Sequence, residues 1–312
     1  MTRVLSSKKG WSHAMSLALP TISIVTPSYN QGRFLEDTIR SVIDQKYPHL
    51  EYLIIDGGST DNSVDIIRKY ESQLAYWTSE RDKGQYDAIN KGFSKATGDV
   101  LAWLNSDDKY NPWAFQVVGN IFASLPEVEW ISTLFPTCMD DKGEVFFCYS
   151  LDGFSRDGFQ KGEYYPGKHW HFKGSIQQES TFWRRSLWER AGARVDDTLQ
   201  YAGDFELWAR FYQHAELYGV PSPLAAFRKH QNQKTAQHLD LYLIEAQVIF
   251  KHYGGELPGR VESVYRKIVS YIPPRVRNVG LKIGFPWLLR NRCAREGLQG
   301  QWHVLEMRIL YR

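Results

Sequence analysis

The first 125 residues alternate between short apolar runs and segments with helical spacing. Residues 21–26 and 52–55 are β-branched or apolar runs closed by Pro27 and by Asp56-Gly-Gly, which predicts two buried strands. Further strands are predicted at 74–78 and 99–104, and helices at 34–45, 63–70, 88–96 and 111–125, the last capped by Asn111 with Pro112 at its first position. The alternation predicts an α/β fold, a Rossmann-like, mostly parallel sheet flanked by helices.

The pattern changes after residue 128. Residues 128–135 and 144–149 predict a β-hairpin that turns through 140–143, and short helices are predicted at 183–191 and 204–213. A longer helical pattern covers 236–270, with a break at Gly254-Gly255. Residues 151–175 hold five glycines and six aromatic residues with little periodicity, which is typical of a functional or disordered loop.

These patterns divide the chain into three parts. The predicted parts are a flexible arm over 1–19, a domain over 20–232 with two halves (20–125 and 126–232), and a helical, basic C-terminal extension over 233–312.

Polar clusters follow three of the predicted strands, after Thr26, after Ile55 and after Leu104. The carboxyl ends of parallel strands meet at one edge of a sheet, where ligands bind in open α/β folds. The three clusters therefore predict one small-molecule site.

Two of these clusters have both a chemical and a local interpretation. Asp107 and Asp108 are adjacent carboxylates that a divalent cation carrying a diphosphate would neutralise, although an Asx-turn is the alternative. Asp56 with Gly57 and Gly58 suits close approach of a base or ribose, or else a capped strand-to-helix turn. Neither cluster is a Walker A or a G-x-G-x-x-G loop.

Five motifs occur in order along this part of the chain. They are TPSYN at 26–30, IDGGSTD at 55–61, DKGQYDAINKG at 82–92, ATGD at 96–99 and LNSDD at 104–108. Together they resemble glycosyltransferase family 2, the inverting GT-A-fold enzymes that use nucleotide-diphosphate sugars. The resemblance covers about residues 20–230, and it implies a nucleotide-binding half over 20–125 and an acceptor half over 126–232.

The resemblance implies a set of donor-binding and metal-binding residues. The donor set is Pro27, Tyr29 and Asn30 at the nucleotide, Asp56 at the base, and Asp82, Lys83, Asn90, Asn105 and Ser106 around the diphosphate and sugar. A divalent metal (Mn²⁺ or Mg²⁺) would be held by Asp107 and His230. Asn105 stands where the common D-x-D motif has its first Asp.

Later motifs imply the acceptor side. Residues 178–183 and 201–208 resemble the acceptor segment, with Glu179 and Ser180, and the E-D-x-x-L-W motif, with Asp204 as the catalytic base. Gly203 replaces the usual acidic residue before it. A helix N-cap is the alternative role for Asp204. Trp170, in the aromatic loop with Phe172, would stack on acceptor sugars.

Charge and composition add partners and a compartment. Net charge is only +3, which argues against nucleic acid as a partner, but residues 270–312 carry eight Lys/Arg against two Asp/Glu. That tail predicts either contact with an anionic membrane surface or a packed helix with a solvated basic face. Three cysteines without a disulfide framework predict a cytoplasmic protein, and the absence of an 18-residue apolar run predicts no membrane span. If the tail contacts the membrane, the protein is peripheral on its inner face. The 11 Trp and 18 Tyr suit either sugar-binding surfaces or an aromatic core.

The expected function is transfer of one sugar from a nucleotide-diphosphate sugar to a hydroxyl of a glycan or lipid-linked glycan, in surface polysaccharide biosynthesis. A non-catalytic nucleotide-sugar or glycan-binding protein is the alternative. Asn105 and Gly203 favour that alternative, while Asp107 and Asp204 argue against it. A nucleotidyltransferase would need a basic Gly-rich triphosphate loop, which residues 27–30 do not provide.

Overall fold

The computed structural model describes residues 18–167, 172–231, 233–259, 288–296 and 302–310. The predicted arm therefore lies almost wholly outside the described residues. Strands are β1 (Ile22–Ser28), β2 (Leu50–Asp56), β3 (Tyr76–Ser79), β4 (Val100–Trp103), β5 (Lys109–Tyr110), β6 (Trp130–Thr133), β7 (Thr137–Met139), β8 (Val145–Cys148), β9 (Phe182–Arg184), β10 (Leu217–Val220), β11 (Ala225–Arg228), β12 (Leu288–Glu296) and β13 (Trp302–Leu310). Helices are α1 (Gly32–Ile43), α2 (Ser63–Tyr70), α3 (Gln85–Lys95), α4 (Ala114–Ser124), α5 (Arg156–Gln160), α6 (Arg185–Arg190), α7 (Gly203–His214), α8 (Lys234–Gln237) and α9 (Leu239–His252).

The central sheet confirms the predicted mostly parallel α/β fold. Within the described ranges its strand order is β13-β12-β10-β6-β9-β4-β1-β2-β3. Strand β1 pairs in parallel with β2 and β4, while β9 runs antiparallel between β4 and β6. Every residue of β1 is buried because helices cover both faces, which explains its continuous apolar run.

A second, smaller sheet stands beside the carboxyl ends of the central strands. Its order is β5-β11-β7-β8. Strand β11 pairs antiparallel with β5 and parallel with β7, and β7 pairs antiparallel with β8. This sheet brings residues 225–228 against the segment that follows β4.

Several of the tryptophans that the sequence left open belong to the core. Trp103, Trp130, Trp183 and Trp208 are fully buried. The Trp208 ring stacks between Trp103 and Trp130, with ring centroids 5.9 Å and 5.6 Å apart. The cluster joins β4, β6, β9 and α7, and so fixes helix α7 against the sheet.

The hairpin and helix α4 differ from their predictions, the hairpin in the strands that it joins and the helix in its start and cap. The hairpin joins β7 to β8, not 128–135 to 144–149, because β6 is drawn into the central sheet by β10 and β9. Helix α4 begins at Ala114, and Asn111 does not cap it, since the Asn111 Nδ2 donates to the Pro223 carbonyl at 3.1 Å.

The C-terminal extension is helical only over α8 and α9 among the described residues. Residues 288–296 and 302–310 form an antiparallel strand pair that continues the central sheet, with Cys293 opposite Gly219 of β10. Leu305, Met307 and Ile309 alternate with Glu306 and Arg308, a strand period that the prediction of a basic helix overlooked. Across the described part of the chain, no helix combines the length and apolar character needed to cross a bilayer.

Candidate active site

A cavity of about 510 Å³ opens at the carboxyl ends of β1, β2 and β4, where the sequence predicted a site. The predicted residues that line it are Pro27, Tyr29, Asp82, Asn105, Ser106, Asp107, Glu179 and Asp204. The lining also contains two cationic side chains, Arg81 and Lys234, against five carboxyl groups. Such a volume matches a small-molecule site.

Asn30 and Asp56 support the cavity wall from behind. The Asn30 Oδ1 accepts the Thr60 N–H at 2.8 Å, and Asn30 itself has a positive φ of 52°. The buried Asp56 carboxylate accepts the Ser59 N–H at 2.8 Å and the Ser79 hydroxyl at 2.7 Å. Both residues therefore hold the loop after β2.

Three further predicted residues lie outside the lining. Asn90 binds the backbone of Val195 through both amide atoms, each at 2.8 Å, and thereby holds a neighbouring loop. Ser180 is buried and accepts the Ala225 N–H at 3.1 Å. Lys83 is exposed beside Asp82. Trp170 lies outside the described residues.

The predicted metal pair is brought together. The His230 Nε2 lies 2.9 Å from the Asp107 Oδ2, and the His230 ring packs on Phe34 with centroids 4.8 Å apart. Asp107 lines the cavity, whereas His230 stands just behind it. Sheet pairing explains the meeting, because β11 leads directly into residue 230 and crosses beside the loop after β4.

Arg228 is a supporting residue that sequence reasoning missed. Its side chain is buried; Nε donates to the Asp107 carbonyl at 2.6 Å, and one terminal nitrogen donates to Asp37 at 2.9 Å. Its backbone N–H donates to Asp108 at 2.8 Å. Only His230 was selected from Arg228-Lys-His, although an Arg at the end of an apolar run is itself a signal of a buried cation.

Asn105 is explained by amide hydrogen bonds that an aspartate could not make. Its Oδ1 accepts the Gln85 side-chain N–H at 2.7 Å. Its Nδ2 donates to Gln178 at 3.2 Å and to Asp108 at 3.3 Å. An aspartate at position 105 would have no N–H to donate to the oxygens of Gln178 and Asp108. The neutral asparagine therefore suits this cavity.

Behind Asp107, two buried carboxyl groups are hydrogen-bonded to each other, Asp108 and Glu179. Burial raises the pKa of Glu179 to about 8, and the nearby carboxylates of Asp204 and Asp107 add to the shift. Burial also raises the pKa of Asp108 well above its usual range. A shared proton lets the pair sit together, because two like charges at this separation cannot both be ionised.

Asp204 enters the cavity from the first turn of α7. Burial raises its pKa to about 6, against the lowering effect of a hydrogen bond from the Phe205 N–H at 2.8 Å. A carboxyl group with that pKa is ionised at neutral pH and still basic enough to accept a proton.

Gly203 is explained by the ring of Tyr86. A Cβ at position 203 would lie 2.7 Å from the Tyr86 ring. The Tyr86 hydroxyl accepts the Gly203 N–H at 2.9 Å and donates to the Tyr201 carbonyl at 2.8 Å. The residue before Asp204 therefore has no room for the usual acidic side chain.

Lys234 was also missed, because the domain boundary was predicted two residues before it. Its ammonium group lies 5.6 Å from the Tyr86 ring centroid and 5.2 Å from that of Tyr201. It lines the cavity together with Tyr86 and Tyr201. No local sequence motif marks this lysine.

The donor set of the cavity fits a divalent cation that arrives with its own phosphate ligands. No group of three or more His, Cys, Asp and Glu side chains that could hold a metal occurs within the described ranges. Mg²⁺-type sites use one or two carboxylates and complete their shell with phosphates and water. Asp107, with His230 beside it, supplies that number of protein ligands.

The sequence profile of the family described as Glycosyl transferase family 2 matches residues 23–132. The chain carries a family 2 glycosyltransferase domain. Over 94 residues it is 42% identical to the Bacillus subtilis (strain 168) protein named "Putative teichuronic acid biosynthesis glycosyltransferase TuaG", covering 29% of this chain and 37% of that one. Such alignments span 36–37% of the length of the curated relatives.

Solved structures show that this glycosyltransferase domain has the GT-A fold. The Staphylococcus aureus TarS fragment 1–349, in complex with UDP-GlcNAc, superposes with a TM-score of 0.57 at 14% identity, covering 85% of this chain and 76% of that one. The mannosyltransferase PcManGT from Pyrobaculum calidifontis, in complex with GDP-Man and Mn²⁺, gives a TM-score of 0.51 at 16% identity, covering 88% and 83%.

Substitution of Gly203 tests the close approach of Tyr86 to the base-bearing helix. We expect Gly203→Ala to lower the free energy of unfolding by about 1–3 kcal/mol, because the added methyl group overpacks the site. Urea denaturation measures it. In a Tyr86→Ala background the cost should disappear, and an equal cost in both backgrounds would contradict the packing account.

Proposed function

We propose that this chain transfers a single sugar from a nucleotide-diphosphate sugar to a hydroxyl group of a glycan or lipid-linked glycan, with inversion at the anomeric carbon. The observation that carries the proposal is that one cavity holds both Asp107, with His230 behind it, and Asp204 with a pKa of about 6. The family of the domain and the nucleotide-sugar ligands of the TarS and PcManGT structures support the donor class.

Each wall of the cavity has a distinct task in this proposal. Pro27, Tyr29 and the loop held by Asp56 receive the nucleotide, and Asp107 and His230 hold a divalent metal at the diphosphate. A bound Mn²⁺ or Mg²⁺ would neutralise charge on the leaving diphosphate. Lys234 and Arg81 bring further positive charge to a lining that is otherwise rich in carboxyl groups.

Asp204 acts as the general base. It accepts the proton of the acceptor hydroxyl while that oxygen forms a bond to the anomeric carbon and the bond to the diphosphate breaks. Glu179, which is protonated at neutral pH because burial raises its pKa to about 8, can donate a hydrogen bond towards the acceptor without competing for that proton. This division of tasks follows from the two different pKa values.

A role in surface polysaccharide biosynthesis is supported by the name of the TuaG relative, which refers to teichuronic acid biosynthesis. The non-catalytic alternative rested on Asn105 and Gly203. Asn105 is explained by its amide hydrogen bonds, and Gly203 is explained by the close approach of the Tyr86 ring. Neither departure therefore argues for loss of activity.

Calorimetry tests the donor site directly. With UDP, GDP, dTDP and CDP, each with and without Mn²⁺, we expect one nucleotide to bind and Mn²⁺ to strengthen its binding. His230→Ala should reduce the effect of Mn²⁺ at least tenfold, since one ligand is lost, while the exposed His214→Ala on α7 should leave it unchanged. A folded protein that binds none of the four would overturn the proposal.

The pH profile tests the base. We expect the acceptor kcat/KM to be constant between about pH 6 and pH 8 and to fall about tenfold per unit below pH 6, because Asp204 must be ionised to accept a proton while Glu179 stays protonated. Asp204→Asn should lower turnover about 10²–10⁴-fold and keep nucleotide affinity. The exposed Asp240→Asn is the matched control. Unchanged turnover in Asp204→Asn would remove the base assignment.

A further inference from the structure

The outer edge of the smaller sheet exposes an unusual run of apolar side chains. Strand β8 is its edge, and the exposed fractions are 59% for Val145, 56% for Phe146 and 49% for Phe147. Aromatic rings gathered at the surface of a soluble domain commonly mark a binding surface.

Strand register connects this edge with the cavity. Phe227 of β11 lines the cavity and pairs with Cys138 of β7, which pairs with Phe147 of β8. Side chains of directly paired residues lie on the same face of a sheet. With strands about 4.8 Å apart, Phe147 lies about 10 Å from Phe227 across the sheet, on the face that leads into the cavity.

A β-bulge turns a second ring towards this face. The register shifts between Cys138 and Met139, so Val145 pairs with Met139 and Phe146 is the extra residue. The Lys229 ammonium group lies 5.7 Å from the Phe146 ring centroid. The Phe147 and Tyr149 ring centroids are 5.6 Å apart. We name Phe146, Phe147 and Tyr149 the aromatic shelf.

We propose that the aromatic shelf is an acceptor subsite, on which sugar rings of an extended glycan stack while its terminal hydroxyl group reaches Asp204. This inference rests on the proposed function. Sugar rings present C–H groups on one face, which pack on flat amphipathic rings. The shelf is continuous with the cavity through Phe227 and Cys138, so one chain-like ligand can contact both.

The charge beside the shelf argues for a glycan and against a lipid surface. The hairpin turn between β7 and β8 carries Asp140, Asp141 and Glu144 against Lys142, and among the described residues only Asp141 is paired with a further cation, Arg33 at 2.6 Å. An anionic bilayer would repel this turn, which adjoins the shelf. Phe146 contacts Lys229 and Phe147 contacts Tyr149, so these side chains lose little conformational freedom when a ligand binds.

The test compares glycan retention by variants of the full chain on a printed array of bacterial surface oligosaccharides and polysaccharides. We expect the unmodified chain to retain a subset of glycans and the Phe146→Ala/Phe147→Ala double variant to lose at least tenfold of that signal. Val145→Ala is the matched control, because Val145 is as exposed and lies on the same strand but pairs on the other face. Phe147→Trp, which keeps a stacking surface, should keep retention.

Nucleotide affinity, measured by calorimetry on the same variants, separates this inference from the function it rests on. We expect the nucleotide affinity to be equal in the unmodified chain and in all of these variants. Equal glycan retention by the double variant, or no retained glycan with the unmodified chain, would overturn the shelf while nucleotide binding stands. Binding to phosphatidylglycerol vesicles that is lost in the double variant would also overturn it. If the unmodified chain binds no nucleotide, that result would instead contradict the proposed function.

Discussion

The site depends on a single buried guanidinium group, that of Arg228. It joins the carbonyl of Asp107 to the carboxylate of Asp37 on α1, and it lies 4.8 Å from the ring centroid of Phe34. It also donates to the Asp141 carbonyl in the β7–β8 hairpin at 3.1 Å. One planar group with several donors thus fixes three separate segments relative to one another, which a lysine could not do.

Burial of this cation is compensated from several sides. Although burial alone would raise it, the pKa of Asp37 is lowered by hydrogen bonds from Lys109 and Arg228. The backbone N–H of Arg228 meets Asp108, whose partner Glu179 reaches the cavity that contains Asp204. The same contacts that satisfy Arg228 therefore hold Asp107 and Glu179, which both line one cavity.

The sequence predicted the parts of the site that lie within single motifs. Polar residues after β1, β2 and β4 meet as parallel strands require, and Asp107 and Asp204 line the cavity. Asp56 and Asn90 were assigned to the donor but contact backbone, because a motif shows which residue type is present and not which way its side chain points. Arg228, Lys234 and the aromatic shelf depend on pairing between strands and segments far apart in the chain, which local patterns do not contain.

Arg228 holds the loop that carries Asp107, for which we propose binding of the diphosphate through a metal, and paired measurements on Arg228→Met test this role. We predict a loss of about 3–5 kcal/mol in the free energy of unfolding, because the substitution leaves buried partners unsatisfied. The exposed Arg33→Met, which breaks a surface pair with Asp141 and a contact with the Phe34 ring, should cost under about 1 kcal/mol. We also predict that Arg228→Lys, which stays folded but lacks the planar fork, binds the nucleotide with Mn²⁺ at least tenfold more weakly. Unchanged nucleotide affinity in folded Arg228→Lys and Arg228→Met would contradict the account.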